Sequence, residues 1–222
     1  MPRNLSVVFI LDSDPSFRSW VGEIMVERGW ASETFASGKA FLSSNRAPVP
    51  SCLIVDERLP DCTGLDIQRL LAEDRKAMPI IFVSEQGDVR TAVKAIQAGA
   101  IEYLIKPASA ETLVAAVDRA LEASSKALAA EHRIQRLKSR YETLSPREHE
   151  VTDLVVTGLL NKQVAYQLGI SEVTVKWHRG TVMRKMDARS VIDLASMAAK
   201  LGHSGGLGRA DTPAQVHSEA AA

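Results

Sequence analysis

Short runs of apolar and β-branched residues recur through the first half of the chain: Val7–Leu11 (VVFIL), 52–55 (CLIV), 80–83 (IIFV) and Glu102–Ile105 (EYLI). A strand that is apolar at nearly every position, not at every second one, needs cover on both faces. That is a property of parallel sheets whose strands are joined by crossover helices. A weaker fifth run is Ala31–Phe35, and amphipathic segments at 17–28, 65–73 and 89–98 supply helices between the strands. The expectation is an α/β domain of five βα units.

The 222 residues, 45% of them hydrophobic, hold enough apolar material for two cores. Net charge is zero, which by itself argues against a nucleic-acid partner, but the charge is unevenly placed. Residues 1–124 carry 13 Lys and Arg against 17 Asp and Glu, and residues 125–222 carry 14 against 10, so an acidic half precedes a basic one. No window is apolar for long enough to span a membrane, and the opening MPRNLSVVFILDSD runs into acidic residues without a cleavage site, so a soluble, cytoplasmic protein is expected. Cys52 and Cys62 lack the spacing of a zinc site or a disulfide framework and read as two reduced thiols.

From an N-cap at Ser109, with Glu111 in the first turn, apolar residues follow at steps of three and four through Leu113, Ala116, Ala120, Ala123, Ala127, Ala130, Ile134, Leu137, Tyr141 and Leu144, with no Gly or Pro between. This predicts one long helix. Its seam either pairs with a second copy or docks on the chain's own domains, since alanine knobs specify pairing poorly. Ser145-Pro146 then starts a new helix that Gly158 ends. Further helices are predicted from Asn161 to Leu168, from Ser171-Glu172 to about Met186, and from a Ser190 cap to about Leu201. The expected division is 1–122, 123–143 as a helical linker, 144–202 as a four-helix domain, and a disordered, Gly- and Ala-rich tail at 203–222.

Several polar groups fall at strand ends in the first half: Asp12 and Asp14 after the first strand, Asp56 after the third, Ser84 after the fourth and Lys106 after the fifth. In a sheet of order 2-1-3-4-5 the crevice where strand order reverses lies between strands one and three, so the carboxylates meet there. One such Asp is ordinarily a helix cap, but five groups together are not explained that way.

On these residues the segment from 5 to about 122 resembles the flavodoxin-like receiver domain of two-component response regulators. Asp56 within CLIVDERLPDCTGLD matches the phosphorylated segment, with Pro60 and Gly64 in place. Ser84 matches the switch hydroxyl, Lys106-Pro107 the Lys-Pro pair, and Tyr103 the aromatic switch. The resemblance implies that Asp56 accepts a phosphoryl group from a sensor histidine kinase. It implies Mg²⁺ held by Asp12, Asp14, Asp56 and the Arg58 backbone carbonyl, a cis Lys106-Pro107 bond, and movement of Ser84 toward the phosphate that makes room for Tyr103. A carboxylate nucleophile facing an anionic phosphoryl group needs a hard cation and an ammonium nearby.

Three positions depart from the family pattern. Ser13 stands where a second acidic ligand is usual, Glu85 where a small residue follows the switch hydroxyl, and Glu57 adds a carboxylate beside the acceptor. Fewer ligand charges weaken Mg²⁺ binding, and a poorly solvated carboxylate repels the phosphoryl group by ~1–3 kcal/mol. Weak phosphorylation is therefore expected, the alternative being a receiver that regulates without phosphate. A remote alternative is a haloacid-dehalogenase-like phosphatase using Asp12 as nucleophile and Asp14 as acid/base, although the segment lacks room for a cap domain and has no later acidic pair for the metal.

The basic half, from 144 to about 201, resembles the LuxR/NarL-type helix-turn-helix. The resemblance is carried by Glu148, Glu150, Val151, Gly158-Leu159, Asn161-Lys162, Val164-Ala165, Leu168, Ile170-Ser171, Thr174-Val175-Lys176, His178 and Lys185-Met186. In combination with the receiver and linker it is most similar to the FixJ branch. A short helix, a glycine turn and a basic second helix suit docking in the major groove of double-stranded DNA. In the predicted third helix Val173, Val182 and Met186 are expected to face inward, with Lys176, Trp177 and Gly180 outward. The resemblance makes Lys176 and Trp177 base-edge candidates and Lys162, Thr174, Arg179, Arg184 and Lys185 phosphate contacts. Trp177 is alternatively a docking surface. The combined reading is a transcriptional regulator, not an enzyme, in which the receiver controls DNA binding or homodimerisation.

Overall fold

The computed structural model describes residues 6–74 and 78–202, so the tail expected at 203–222 lies outside the described residues. The chain divides into two compact units, with the boundary between Glu131 and His132.

In the first unit β1 (Val7–Leu11), β2 (Ala31–Phe35), β3 (Ser51–Asp56), β4 (Ile80–Ser84) and β5 (Glu102–Ile105) form one parallel sheet of order β2-β1-β3-β4-β5. Because strand side chains alternate between faces, the continuous apolar runs split into two cores. Val8, Ile10, Cys52, Ile54, Ile81, Val83 and Leu104 face helices α1 (Pro15–Glu27) and α5 (Ala110–Glu142). Phe9, Leu11, Leu53, Val55, Ile80 and Phe82 face α2 (Gly38–Leu42), α3 (Gly64–Asp74) and α4 (Val89–Gln97). The edge strand β2 is largely exposed, which is why its sequence signal is weak. Both cysteines are free thiols.

Helix α2 has no counterpart in the sequence reading. At five residues it is too short to show a period, and a distant side chain supports it. The Asp61 carboxylate accepts from the Gly38 and Lys39 N–H groups at 2.9 and 2.8 Å. Both belong to the donors that a helix start leaves without partners.

Helix α5 is unbroken over its 33 residues, and its seam has three fates. Leu113, Ala116 and Ala120 are buried in the sheet-facing core of the first unit, and Leu137 and Leu144 in the core of the second. Between them Ala130 and Ile134 are exposed, Ile134 by 49%.

The second unit packs α6 (Pro146–Val155), α7 (Asn161–Leu168), α8 (Glu172–Met186) and α9 (Val191–Lys200) around Val151, Val155, Val164, Val175, Val182, Met186 and Leu194. Ser145 and Glu148 form a reciprocal capping box at the start of α6. Gly169, at φ +64°, ends α7 in the left-handed conformation, and Ser171 caps α8 by accepting from the Thr174 N–H at 3.1 Å. No helix among the described residues is long and apolar enough to cross a membrane.

Candidate functional site

The carboxyl ends of β1, β3 and β5 bring Asp12, Asp56 and Lys106 together. Lys106 Nζ donates to Asp12 Oδ2 at 2.6 Å, stands 3.9 Å from Asp56 Oδ1, and lies 4.2 Å above the centre of the Phe17 ring. Asp12 is buried, and its other oxygen accepts the Asp14 N–H at 2.8 Å. Burial and the neighbouring Asp12 charge push the Asp56 carboxyl up to about 6, against the pull of Lys106 and of the Glu57 and Arg58 N–H groups. The Lys106-Pro107 bond is cis.

The loop after β3 is held tightly beneath the acceptor. The Glu57 N–H donates to the Val83 carbonyl at 3.0 Å, and the Glu57 carbonyl accepts from Gly64 N–H at 2.9 Å. A Cβ on Gly64 would lie 2.7 Å from the Asp56 carbonyl oxygen and 2.8 Å from the Phe82 ring, so the position admits no side chain without displacing one of them.

Three of the expected neighbours make contacts the sequence did not show. Asp14 does not join Asp12 and Asp56. It caps α1, its Oδ1 accepting from the Ser16 N–H at 2.9 Å. Ser84 and Tyr103 do converge, but on Glu57. Ser84 Oγ donates to Glu57 Oε2 at 2.7 Å and Tyr103 OH donates to the same oxygen at 2.5 Å. Burial and that hydrogen bond raise the Tyr103 phenol to about 12. Ser13 and Glu85 are both exposed.

Among the described residues no three acidic, His or Cys side chains gather closely enough to hold a metal by themselves. Of the expected ligand side chains, Asp12 and Asp56 share the Lys106 ammonium. That set suits Mg²⁺, which takes hard oxygens, retains several waters and commonly uses one or two carboxylates together with substrate phosphate oxygens.

In the second unit the outer face of α8 presents Lys176, Trp177 and Gly180, with Trp177 65% exposed. Val173 corrects the sequence expectation. It is 75% exposed on this same stripe, and Val175 takes the inward place, seven residues before Val182 and eleven before Met186. Lys162, at the start of α7, and Arg184 are exposed, and Thr174 is partly buried beside its Ser171 cap. Arg179 and Lys185 also bond within the domain. Arg179 Nη1 donates to Asn161 Oδ1 at 2.8 Å. Lys185 Nζ donates to Glu148 Oε2 at 2.6 Å and to the Thr143 carbonyl at 2.9 Å. Burial acts to raise the Glu148 carboxyl, but the Lys185 ammonium and the Ser145 N–H outweigh it and leave it below the ordinary carboxylate range. Tyr166, 89% exposed on α7, was not anticipated, since an aromatic at helical spacing reads as core.

A carboxylate and lysine cluster at the rim of a five-stranded parallel sheet, followed by a helix-turn-helix, defines a receiver joined to a DNA-binding output. Residues 8–118 match the family model for the response regulator receiver domain, and residues 142–198 that for bacterial regulatory proteins of the luxR family. The chain is 43% identical over 199 residues to Nodulation protein W of Bradyrhizobium diazoefficiens, covering 90% of this chain and 88% of that protein. It is 35% identical over 201 residues to Transcriptional regulatory protein FixJ of Rhizobium meliloti, covering 90% and 97%. Among solved structures, that of Response Regulator StyR matches with a TM-score of 0.79 at 35% identity, covering 88% of this chain and 98% of that one. The chain belongs to the response regulators of the NarL/FixJ type and is a transcriptional response regulator. As a class, response regulators with a luxR-type domain bind DNA and receive phosphate from sensor kinases, and receiver domains generally bind Mg²⁺ for that step.

Proposed function

We propose that Asp56 is the phosphoacceptor of this chain and that its occupancy, relayed through α5, sets how the α8 face meets DNA. The convergence of Asp12, Asp56 and Lys106 at one sheet rim is the observation that carries this reading. An Asp56 carboxylate oxygen attacks the phosphorus of a kinase phosphohistidine. The O–P bond forms as the N–P bond breaks, and the imidazole leaves with the electron pair and takes a proton. Asp12, Asp56 and the Arg58 carbonyl would hold Mg²⁺, which when bound offsets the charge on the phosphoryl oxygens. Lys106, now paired with Asp12, is close enough to Asp56 to turn toward the new phosphoryl group. Residues 123–143 serve as the connecting part of α5, and the active form is a homodimer.

On the DNA side, Lys176 and Trp177 read base edges, while Lys162, Thr174, Arg179, Arg184 and Lys185 hold phosphates. The test of the acceptor is direct. Incubation with acetyl phosphate and Mg²⁺ adds one phosphoryl mass to the wild-type protein and none to Asp56→Asn. No mass addition and no beryllofluoride response in any condition would replace this reading with regulation independent of phosphate.

A further inference from the structure

We propose that Glu57 is a positioning residue of the receiver switch. Its carboxylate occupies the Ser84 hydroxyl in place of a phosphoryl oxygen, and anchors Tyr103 to the same point before Asp56 is modified, so that a phosphoryl group must take Ser84 from it. The proposal rests on the reading of Asp56 as the acceptor.

A serine hydroxyl has one proton to give. Ser84 Oγ lies 2.7 Å from Glu57 Oε2 and 3.2 Å from the Gln86 carbonyl, and accepts the Gln86 N–H at 3.3 Å. The approach to Glu57 is the shorter of the two, so the proton goes to Glu57. Tyr103 spends its only O–H on the same oxygen, with its ring stacked on Phe82 at 6.0 Å between centroids. The hydroxyl that would turn to a phosphoryl group and the ring that would follow it are therefore both already tied to one carboxylate. That carboxylate is fixed in place, because the Glu57 backbone is pinned on one side to Val83 and on the other to Gly64. Glu57 then opposes phosphorylation in two separable ways, by charge and by holding the Ser84 proton.

The chain carries three tyrosines, so labelling with 3-fluorotyrosine and a Tyr103→Phe control assign the Tyr103 signal in fluorine NMR. Without metal or phosphodonor, Glu57→Ala shifts and narrows that signal as the ring loses its anchor. Glu57→Gln, which keeps an acceptor oxygen, leaves it near the wild-type position. A Tyr103 signal unchanged in a folded Glu57→Ala protein would overturn the proposal. The second reading is affinity for beryllofluoride with Mg²⁺. Glu57→Ala binds more tightly than Glu57→Gln by about fivefold, the worth of one net hydrogen bond, and this difference vanishes when Ser84 is also Ala. Equal affinities of the two Glu57 variants would leave only charge repulsion and reject the Ser84 link. Absence of beryllofluoride binding even in wild type would overturn the acceptor reading alone, because the fluorine comparison decides on Glu57 without any phosphate.

Discussion

Asp56 is held in a form that resists ionisation. Its folded-state value, about 6 against an ordinary 3.8, means that the native protein binds this proton more tightly than the unfolded chain does. Stability therefore falls as pH rises between those two values and stays lower above them. Asp56 keeps some contact with solvent, and screening there reduces the cost to about 1–2 kcal/mol. In the absence of metal, Asp56→Asn should melt a few degrees above wild type at pH 8, with the gap closing near pH 4 and narrowing when Mg²⁺ is added. Thermal unfolding followed by circular dichroism measures this, and a lower melting point for the variant at pH 8 contradicts it. The residue types at this rim were legible because phosphoryl transfer needs a nucleophile, a cation site and an ammonium, and strand ends bring them together. The hydrogen-bond partners were not legible. Glu57 read as a repelling charge, and only side-chain geometry shows that it also gathers Ser84 and Tyr103.

At the scale of elements, helix α8 shows where sequence patterning reaches its limit. An apolar residue was assumed to face the core, but Val173 shares its stripe with Lys176, Trp177 and Gly180, and the inward stripe runs through Val175, Val182 and Met186. Patterning also does not show that Arg179 and Lys185, expected at phosphates, bond within the domain to Asn161 and Glu148. The three basic positions separate experimentally. Lys185→Ala leaves the buried Glu148 carboxylate without its ammonium and should destabilise the domain by ~1–3 kcal/mol, seen as a lower melting temperature. Arg184→Ala should leave melting unchanged and weaken binding to all DNA alike, lowering the salt dependence. Lys176→Ala should relax sequence preference by ~1–3 kcal/mol at one base pair. A stable Lys185→Ala protein, or equal losses on every sequence for Lys176→Ala, would contradict these assignments. The parallel strands and the caps at Ser145, Ser171 and Ser190 were legible because each depends on local chemistry. Helix α2 was not, since its first N–H groups rely on Asp61, more than twenty residues further along.

Taken as a molecule, the chain joins an acidic α/β unit and a basic helical unit through a helix whose seam is buried at both ends and open around Ala130 and Ile134. The heptad spacing was visible in the sequence, but which part was left unpaired was not, because burial by each unit's own core decides it. If the open stretch pairs with a second copy, light scattering should report a doubled mass with Mg²⁺ and beryllofluoride, and Ile134→Glu should keep the protein monomeric. A doubling that survives this change would move the contact to the exposed apolar residues Val89, Val93, Ile96 and Ile105 of α4 and β5. The two sheet-facing cores and the helical core have no buried residue in common. The first two line opposite faces of the same strands and stand or fall together, whereas the third draws on other elements of the chain, so a lineage can retune which stimulus it hears without forfeiting the fold that recognises its promoters.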